Sequence, residues 1–196
     1  MRNDLKYYVP EPKIINAKDF GVPQNRERIF IVGFRNDLNV EDFKYPKPLR
    51  KKVVFKDIKE DREVSVKYYL STQYLGTLRK HKLRHISKGN GFGFEIIPDC
   101  NVANAIVVGG MGRERNLVYD DRLTNFTPVT KIKGIVNREG LRRMTPREWA
   151  RLQGFPDNFK LVVADAQAYK QFGNSVAIPA IQATGKKILE KLEGIL

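Results

Sequence analysis

Gln24-Asn25-Arg26-Glu27-Arg28-Ile29-Phe30-Ile31-Val32-Gly33-Phe34 decides how the rest of the chain is read. From Ile29 onward it is β-branched and aromatic almost without a break, the pattern of a buried strand. Ahead of that run, Gln24, Arg26 and Arg28 alternate with Asn25 and Glu27. In an extended backbone the first three project from one face. Such a face presents an amide and two guanidiniums, groups that suit phosphates and carbonyl oxygens such as that of a nucleobase. The same spacing also describes a solvated strand end with Glu27 as ion-pair partner.

Upstream, Lys13-Ile14-Ile15-Asn16 follows Pro10 and Pro12 and precedes a turn signal at Asp19-Phe20-Gly21-Val22-Pro23. The two apolar segments predict a loose hairpin. Two strands cannot cover both of their faces, so something else must pack on this hairpin. Alone it exposes an apolar edge, and self-association or poor solubility is expected. Downstream, residues 36–50 are polar and carry Pro46 and Pro48, which reads as a linker. Residues 51–138 contain short apolar runs, many glycines and no sustained helical period, with strands expected at Glu95-Ile96-Ile97-Pro98 and Ala105-Ile106-Val107-Val108 and a flexible loop over Gly109–Arg115.

Beyond Arg142 the local signals sharpen. Thr145-Pro146-Arg147-Glu148 is a capping box with proline at the first helical position, predicting a short helix to about Gln153 that Gly154 and Pro156 terminate. A second helix is expected to be capped by Asn174 or Ser175, with Ile178, Ile181, Ile188, Leu189 and Leu192 near one face and Pro179 in the first turn.

The 196 residues hold 36 Lys plus Arg against 22 Asp plus Glu, a net charge of +14 that favours phosphate polyanions. Between Val64 and Phe94 the charges are Lys67, Arg79, Lys80, Lys82, Arg84 and Lys88, with no acid. The single cysteine, Cys100, excludes an internal disulfide framework and fits a reducing, cytoplasmic setting. No apolar run is long enough for a membrane span, and Met1-Arg2-Asn3-Asp4 lacks the apolar core of a signal peptide. His81 and His85, at i and i+4, lack a third ligand nearby, so no metal site is expected. Gly89-Asn90-Gly91-Phe92-Gly93-Phe94 is not framed by the strand and helix of a nucleotide loop and reads as a mobile turn that approaches phosphate.

Asn16 through Phe34 resembles motif VIII of the DNA (cytosine-5) methyltransferases, centred on Gln-x-Arg-x-Arg. Arg143–Asp157 is similar to motif IX, and Tyr169-Lys170-Gln171-Phe172-Gly173-Asn174-Ser175-Val176 to motif X, in family order. The resemblance implies an α/β fold: the C-terminal fragment of a Rossmann-like methyltransferase domain, a strand hairpin plus C-terminal helix, with a smaller, mostly β, irregular target recognition domain. The implied boundaries are 1–48 for the motif VIII fragment, 49–140 for the recognition domain and 141–196 for the return to the catalytic domain. A solvated basic face remains the plain alternative for the recognition segment's cations.

By position in the motifs, Arg28 resembles the arginine that hydrogen-bonds the cytosine carbonyl, with Gln24 and Arg26 bracing the pocket. Asn174 and Ser175 correspond to contacts for S-adenosylmethionine. Lys80, Lys82, Arg84 and Lys88 are expected on phosphates, and Arg113 and Arg115 on base edges of double-stranded DNA. Trp149 stands where cysteine is common in relatives. The family's Pro-Cys nucleophile, its Phe-x-Gly-x-Gly cofactor turn and its Glu-Asn-Val are missing from the sequence, and Pro98-Asp99-Cys100 does not replace the first. The chain is therefore expected to be inactive alone and to need an N-terminal half carrying the catalytic cysteine, either as the partner in a split restriction-modification enzyme or as the rest of a longer chain of which this is an excised or truncated piece. A non-enzymatic DNA-binding remnant is the rival reading.

Overall fold

The computed structural model describes residues 6–49, 51–109, 112–127 and 134–194; Met1–Asp4, Arg50, Gly110 and Met111, which enter the sequence reading, lie outside them. Strands are β1 (Tyr7–Tyr8), β2 (Lys13–Asn16), β3 (Gln24–Asn25), β4 (Glu27–Phe30), β5 (Phe34–Arg35), β6 (Ile96–Ile97), β7 (Ala103–Asn104), β8 (Leu117–Tyr119) and β9 (Leu141–Arg143). Helices are α1 (Thr72–Ile86), α2 (Pro146–Leu152), α3 (Asp165–Asn174) and α4 (Ile178–Glu193).

The expected hairpin forms: β2 and β4 pair antiparallel, with Ile14 opposite Ile29 and Ile15 opposite Arg28. Asn16 closes its loop, accepting at Oδ1 from the Arg26 amide at 3.1 Å and donating from Nδ2 to Asn25 Oδ1 at 2.7 Å. Its inner face, with Ile15 and partly buried Phe30, packs with Ala177 and Ala180 around the start of α4. The outer face is bare, leaving Ile14 66% exposed, Ile29 63% and Ile31 56%. An apolar run read as buried on both sides is thus covered on one.

The polar, proline-marked stretch 36–50 is not a free linker. Val40 and Phe43 join Val32 and Phe34 in a small core, against which Ile188 and Leu192 of α4 pack. In the middle segment β6 pairs parallel with β8, and β8 pairs antiparallel with β9 from the C-terminal segment. The middle segment also contains the fifteen-residue α1, which corrects the absence of a helical period there. Ser71 caps α1, accepting at Oγ from the Tyr74 amide, and Leu75 and Leu78 are its buried residues. Residues 105–108 are not a strand: β7 is the shorter Ala103–Asn104, paired parallel to β3.

The largest core joins the middle segment to the C-terminal helices, with Phe55, Ile106 and Val118 packed among Met144, Trp149, Leu152 and Phe172. A buried ionic cluster runs alongside. Arg142 donates from Nε to Asp120 at 2.8 Å and from Nη1 and Nη2 to Glu148 at 2.8 and 2.7 Å, and all three side chains are fully enclosed. Burial raises the Asp120 pKa, but hydrogen bonds from Arg122 and Arg142 outweigh it and hold the carboxyl at about 2. Burial likewise opposes the charge on Arg142, and Glu148 and Asp120 together push its pKa up.

The capping box is present: Thr145 Oγ1 accepts from the Glu148 amide at 3.1 Å, and Glu148 Oε2 accepts from the Thr145 amide at 2.8 Å. Gly154, at φ +79, turns the chain out of α2. Asn174 and Ser175 do not cap a following helix. They end α3, an element without a sequence signal of its own, and α4 begins later with Ala177 at its cap and no side-chain cap bond. The Ile178 amide is instead taken by the Gln153 carbonyl at 2.8 Å.

Candidate functional site

The three motif VIII side chains separate into two kinds. Gln24 is wholly buried. Its Nε2 donates to the Leu152 carbonyl at 2.8 Å and to Gln153 Oε1 at 3.3 Å, and its Oε1 accepts from the Ile106 amide at 3.0 Å. Arg26, also buried, donates from Nη1 to the Ile106 carbonyl at 2.9 Å and from Nη2 to the Gly173 and Ser175 carbonyls at 3.4 and 3.2 Å. Burial, then the charge of Arg28, lowers the Arg26 pKa. Arg28, next in the alternation, is exposed, and its Nη1 donates to the Glu27 carbonyl at 2.6 Å. Two residues fasten backbone, and the third faces outward.

Gln153 completes the knot, and the sequence reading did not single it out. Its Nε2 donates to the Phe172 carbonyl at 2.8 Å and to Ser175 at 3.4 Å. Together Gln24, Arg26 and Gln153 tie segments 105–106, 152–153 and 172–175 into one wall. The available signal was a glutamine at a helix end followed by glycine, a position where a buried amide meets several unsatisfied carbonyls. Gly173 is also required: a Cβ there lies 2.5 Å from Val108 Cγ2.

Asn174 is exposed and Ser175 partly so, while the Ser175 carbonyl is occupied by Arg26 and Gln153. A carboxylate held by helix-start amides is not the arrangement here, because these residues lie at a helix C-terminus where carbonyls predominate. The Asn174 side-chain amide remains at the surface next to the wall, and the Ser175 hydroxyl beside it donates to the Val176 carbonyl at 3.4 Å.

Of the basic residues in the middle segment, Lys80, Arg84 and Lys88 are exposed. Lys82 is turned inward, donating to the Phe94 carbonyl at 3.1 Å with its ammonium 5.1 Å from the Phe94 ring centroid, so its charge is partly engaged. Arg113 lies over the ring of Tyr169 at 5.4 Å. Tyr169 donates to the Met144 carbonyl at 2.5 Å, and burial pushes its pKa well up. Two clefts meet at Val107 and Gly109. One of about 240 Å³ lies against Trp149, Tyr169 and Arg113, and one of about 400 Å³ lies against α1 and Arg115. Cys100 is exposed. Among the described residues no helix is long and apolar enough to cross a membrane.

Residues 2–190 match the family described as C-5 cytosine-specific DNA methylase. The chain is 73% identical over 192 residues to the type II methyltransferase M.HpaII of Haemophilus parainfluenzae, covering 98% of this chain and 54% of the relative. It is 40% identical over 184 residues to the type II methyltransferase M.SsoII of Shigella sonnei, covering 92% of this chain and 44% of the relative. Among solved structures, the S. pombe Dnmt2 methyltransferase aligns with a TM-score of 0.68 at 18% identity, over 98% of this chain and 60% of that one. The Entamoeba histolytica methyltransferase EhMeth aligns at 0.64 and 21% identity, over 96% and 54%. These two share the α/β methyltransferase fold. The chain spans about half the length of the curated relatives it matches. A buried Gln-x-Arg brace with an outward arginine, a capped motif IX helix and that match over nearly all of its residues place this chain in the C-5 cytosine-specific DNA methylase family.

Proposed function

We propose that this chain supplies the DNA-recognition segment, one wall of the base pocket and part of the cofactor pocket of a restriction-modification cytosine-5 methyltransferase. The catalytic cysteine then comes from an N-terminal half. The bare outer face of the β2–β4 hairpin carries this reading. Ile14 and Ile29, directly paired across the strands, and Ile31 are each more than half exposed, on a strand apolar enough to be an interior one. Covering them contributes about 1–2 kcal/mol apiece. A polypeptide packed on this face supplies the layer the hairpin lacks, while Arg28, opposite Ile15 on the other face, stays exposed for the base.

In this reading Arg28 donates to the carbonyl oxygen of a cytosine turned out of the duplex, and its outward guanidinium is available for that contact. Gln24 and Arg26 hold the wall without touching the base. Asn174 and Ser175 meet S-adenosylmethionine, which supplies the methyl group when bound. Lys80, Lys82, Arg84 and Lys88 hold phosphates, Lys82 with the smallest share because Phe94 already engages it, while Arg113 and Arg115 reach base edges.

The test is reconstitution. The purified chain is mixed with a separately produced N-terminal half of M.HpaII, and transfer of labelled methyl groups from S-adenosylmethionine to duplex DNA is measured. Transfer is expected from the mixture and from neither part alone, and Ile29→Lys is expected to abolish it while leaving duplex binding by this chain intact. Transfer by this chain alone overturns the reading. A mixture that forms a stable complex and binds duplex without transferring methyl favours a non-enzymatic DNA-binding remnant.

A further inference from the structure

The cleft of about 400 Å³ beside α1 holds residues to which the proposed reaction gives no role. Its walls include His81 and His85, Phe92 between Gly91 and Gly93, Glu95 and Arg115. We infer that His81, His85 and Phe92 form a base-reading surface that discriminates sequence in the groove of duplex DNA; this rests on the DNA-binding role proposed above.

The two histidines share one face of α1 with ring centroids 4.4 Å apart, and Phe92 meets His85 edge-on at 5.7 Å. Nδ1 of each ring is enclosed and without a hydrogen-bond partner. No hydrogen bond therefore locks either ring at that nitrogen, and rotation about Cβ–Cγ exchanges Nδ1 with Cδ2. Among the described residues no group of three or more His, Cys, Asp or Glu side chains is placed to hold a metal, so a metal is not the occupant the geometry favours.

Charge decides between phosphate and base. Desolvation, then His81, Arg84 and Lys88, lowers the His85 pKa, so the imidazole is neutral near pH 7. A neutral imidazole offers one donor and one acceptor, whereas a phosphate oxygen needs donors only. A base edge in the major groove presents the mixed pattern that a neutral imidazole matches. Phosphate holding falls to the exposed cations Lys80, Arg84 and Lys88 around the cleft. Phe92, 66% exposed on a glycine turn, adds an apolar contact for a base or a methyl group. Glycine is required at position 93, where φ is +152 and a Cβ lies 2.9 Å from Lys82 Cγ. Arg115, expected from the sequence on a base edge, closes the opposite wall.

The probe is a fluorescent duplex library of about thirty base pairs with a randomised centre, bound by the full chain and sorted by sequencing of the bound fraction. His81→Gln/His85→Gln and Phe92→Ala are compared with the native chain, with Trp149 fluorescence confirming that each variant folds. The native chain is expected to enrich a defined sequence, and each variant to lose about tenfold or more of that enrichment with an unchanged salt slope. The chain has two histidines, so its two imidazole signals in proton NMR are expected to shift on adding the enriched duplex. Variants with native enrichment, a native chain that binds without preference, or imidazole signals that stay put each overturn the inference. A native chain that binds no duplex overturns the DNA-binding role itself.

Discussion

Replacing Gln24 by methionine tests whether the motif VIII glutamine is a fastener. The two side chains are of similar length, so the change opens little cavity and chiefly removes hydrogen bonds. What it leaves is an Ile106 amide and a Leu152 carbonyl whose bonds to Gln24 measured 3.0 and 2.8 Å, both at a fully buried site. An unsatisfied buried group costs about 1–3 kcal/mol, so the pair amounts to about 2–6 kcal/mol. With a urea dependence of about 2 kcal/mol per molar, the unfolding midpoint falls by about 1–3 M. Trp149 is the one tryptophan and lies one turn before Leu152, so its fluorescence reports the transition directly. Arg28→Gln is the control. That side chain is exposed and its hydrogen bond goes to the neighbouring Glu27 carbonyl, so the midpoint stays within about 0.5 kcal/mol of native while methyl transfer by the reconstituted pair is lost. A Gln24→Met chain with a native midpoint, or an Arg28→Gln chain that unfolds as readily as Gln24→Met, refutes the division of labour.

Arg142→Met leaves the enclosed carboxylates of Asp120 and Glu148 facing each other without their shared cation, and a loss of about 3–5 kcal/mol is expected in the same urea assay. The Asp120 pKa is depressed from 3.8 to about 2 in the folded chain, so its contribution is complete above pH about 4 and is lost as pH falls through about 2. That contribution is about 2 kcal/mol, and the stability difference between the native chain and Asp120→Asn is expected to narrow by this amount over that range. Gly154→Ala combines a left-handed backbone with a Cβ 2.5 Å from Pro179 Cδ, and thermal melts should show a loss of about 3 kcal/mol. Ile14→Lys is expected to leave the melt of the chain nearly unchanged while reducing its self-association by light scattering, because the replaced side chain is mostly solvated.

What the sequence disclosed was local, and what it concealed depends on distant partners. The capping box at Thr145 and the glycine stop at Gly154 are chemistry within one turn, and the β2–β4 pairing follows from two apolar runs flanking a turn. The helix α1 was hidden because its buried residues are Leu75 and Leu78 among many cations, so its apolar stripe is short. The helix α3 starts at Asp165, with Ala164 at its cap and no capping side chain, and contains Gly173, both against the usual signals. Ile106 and its neighbours look like a strand because they are apolar. They are instead an irregular passage bound by Gln24 and Arg26, contacts 80 and 82 residues away in sequence that make no sheet. The stretch 36–50 reads as solvated until α4 brings Ile188 and Leu192 onto it. For the site, alternation placed Gln24, Arg26 and Arg28 on one face, but their differing roles follow from what covers that face. Segments 105–106 and 172–175 reach Gln24 and Arg26, and Arg28 is left open.

The same contacts join reading and chemistry. Ile106 is held at its amide by Gln24 and at its carbonyl by Arg26, and Val107 and Gly109, just beyond it, line both clefts. Arg26 is two residues from Arg28, so the recognition wall and the base contact are tied through a short stretch of hydrogen-bonded backbone. Gly173 lets Val108 come close to α3, which removes the slack a side chain there would introduce. On the function proposed above, Ile106 is the link between the cleft walls and motif VIII, since both its amide and its carbonyl are held there. On that same proposal, binding energy gained on the correct duplex is available to fix the position of Arg28, so that interactions remote from the reacting atoms raise a rate and not only an affinity.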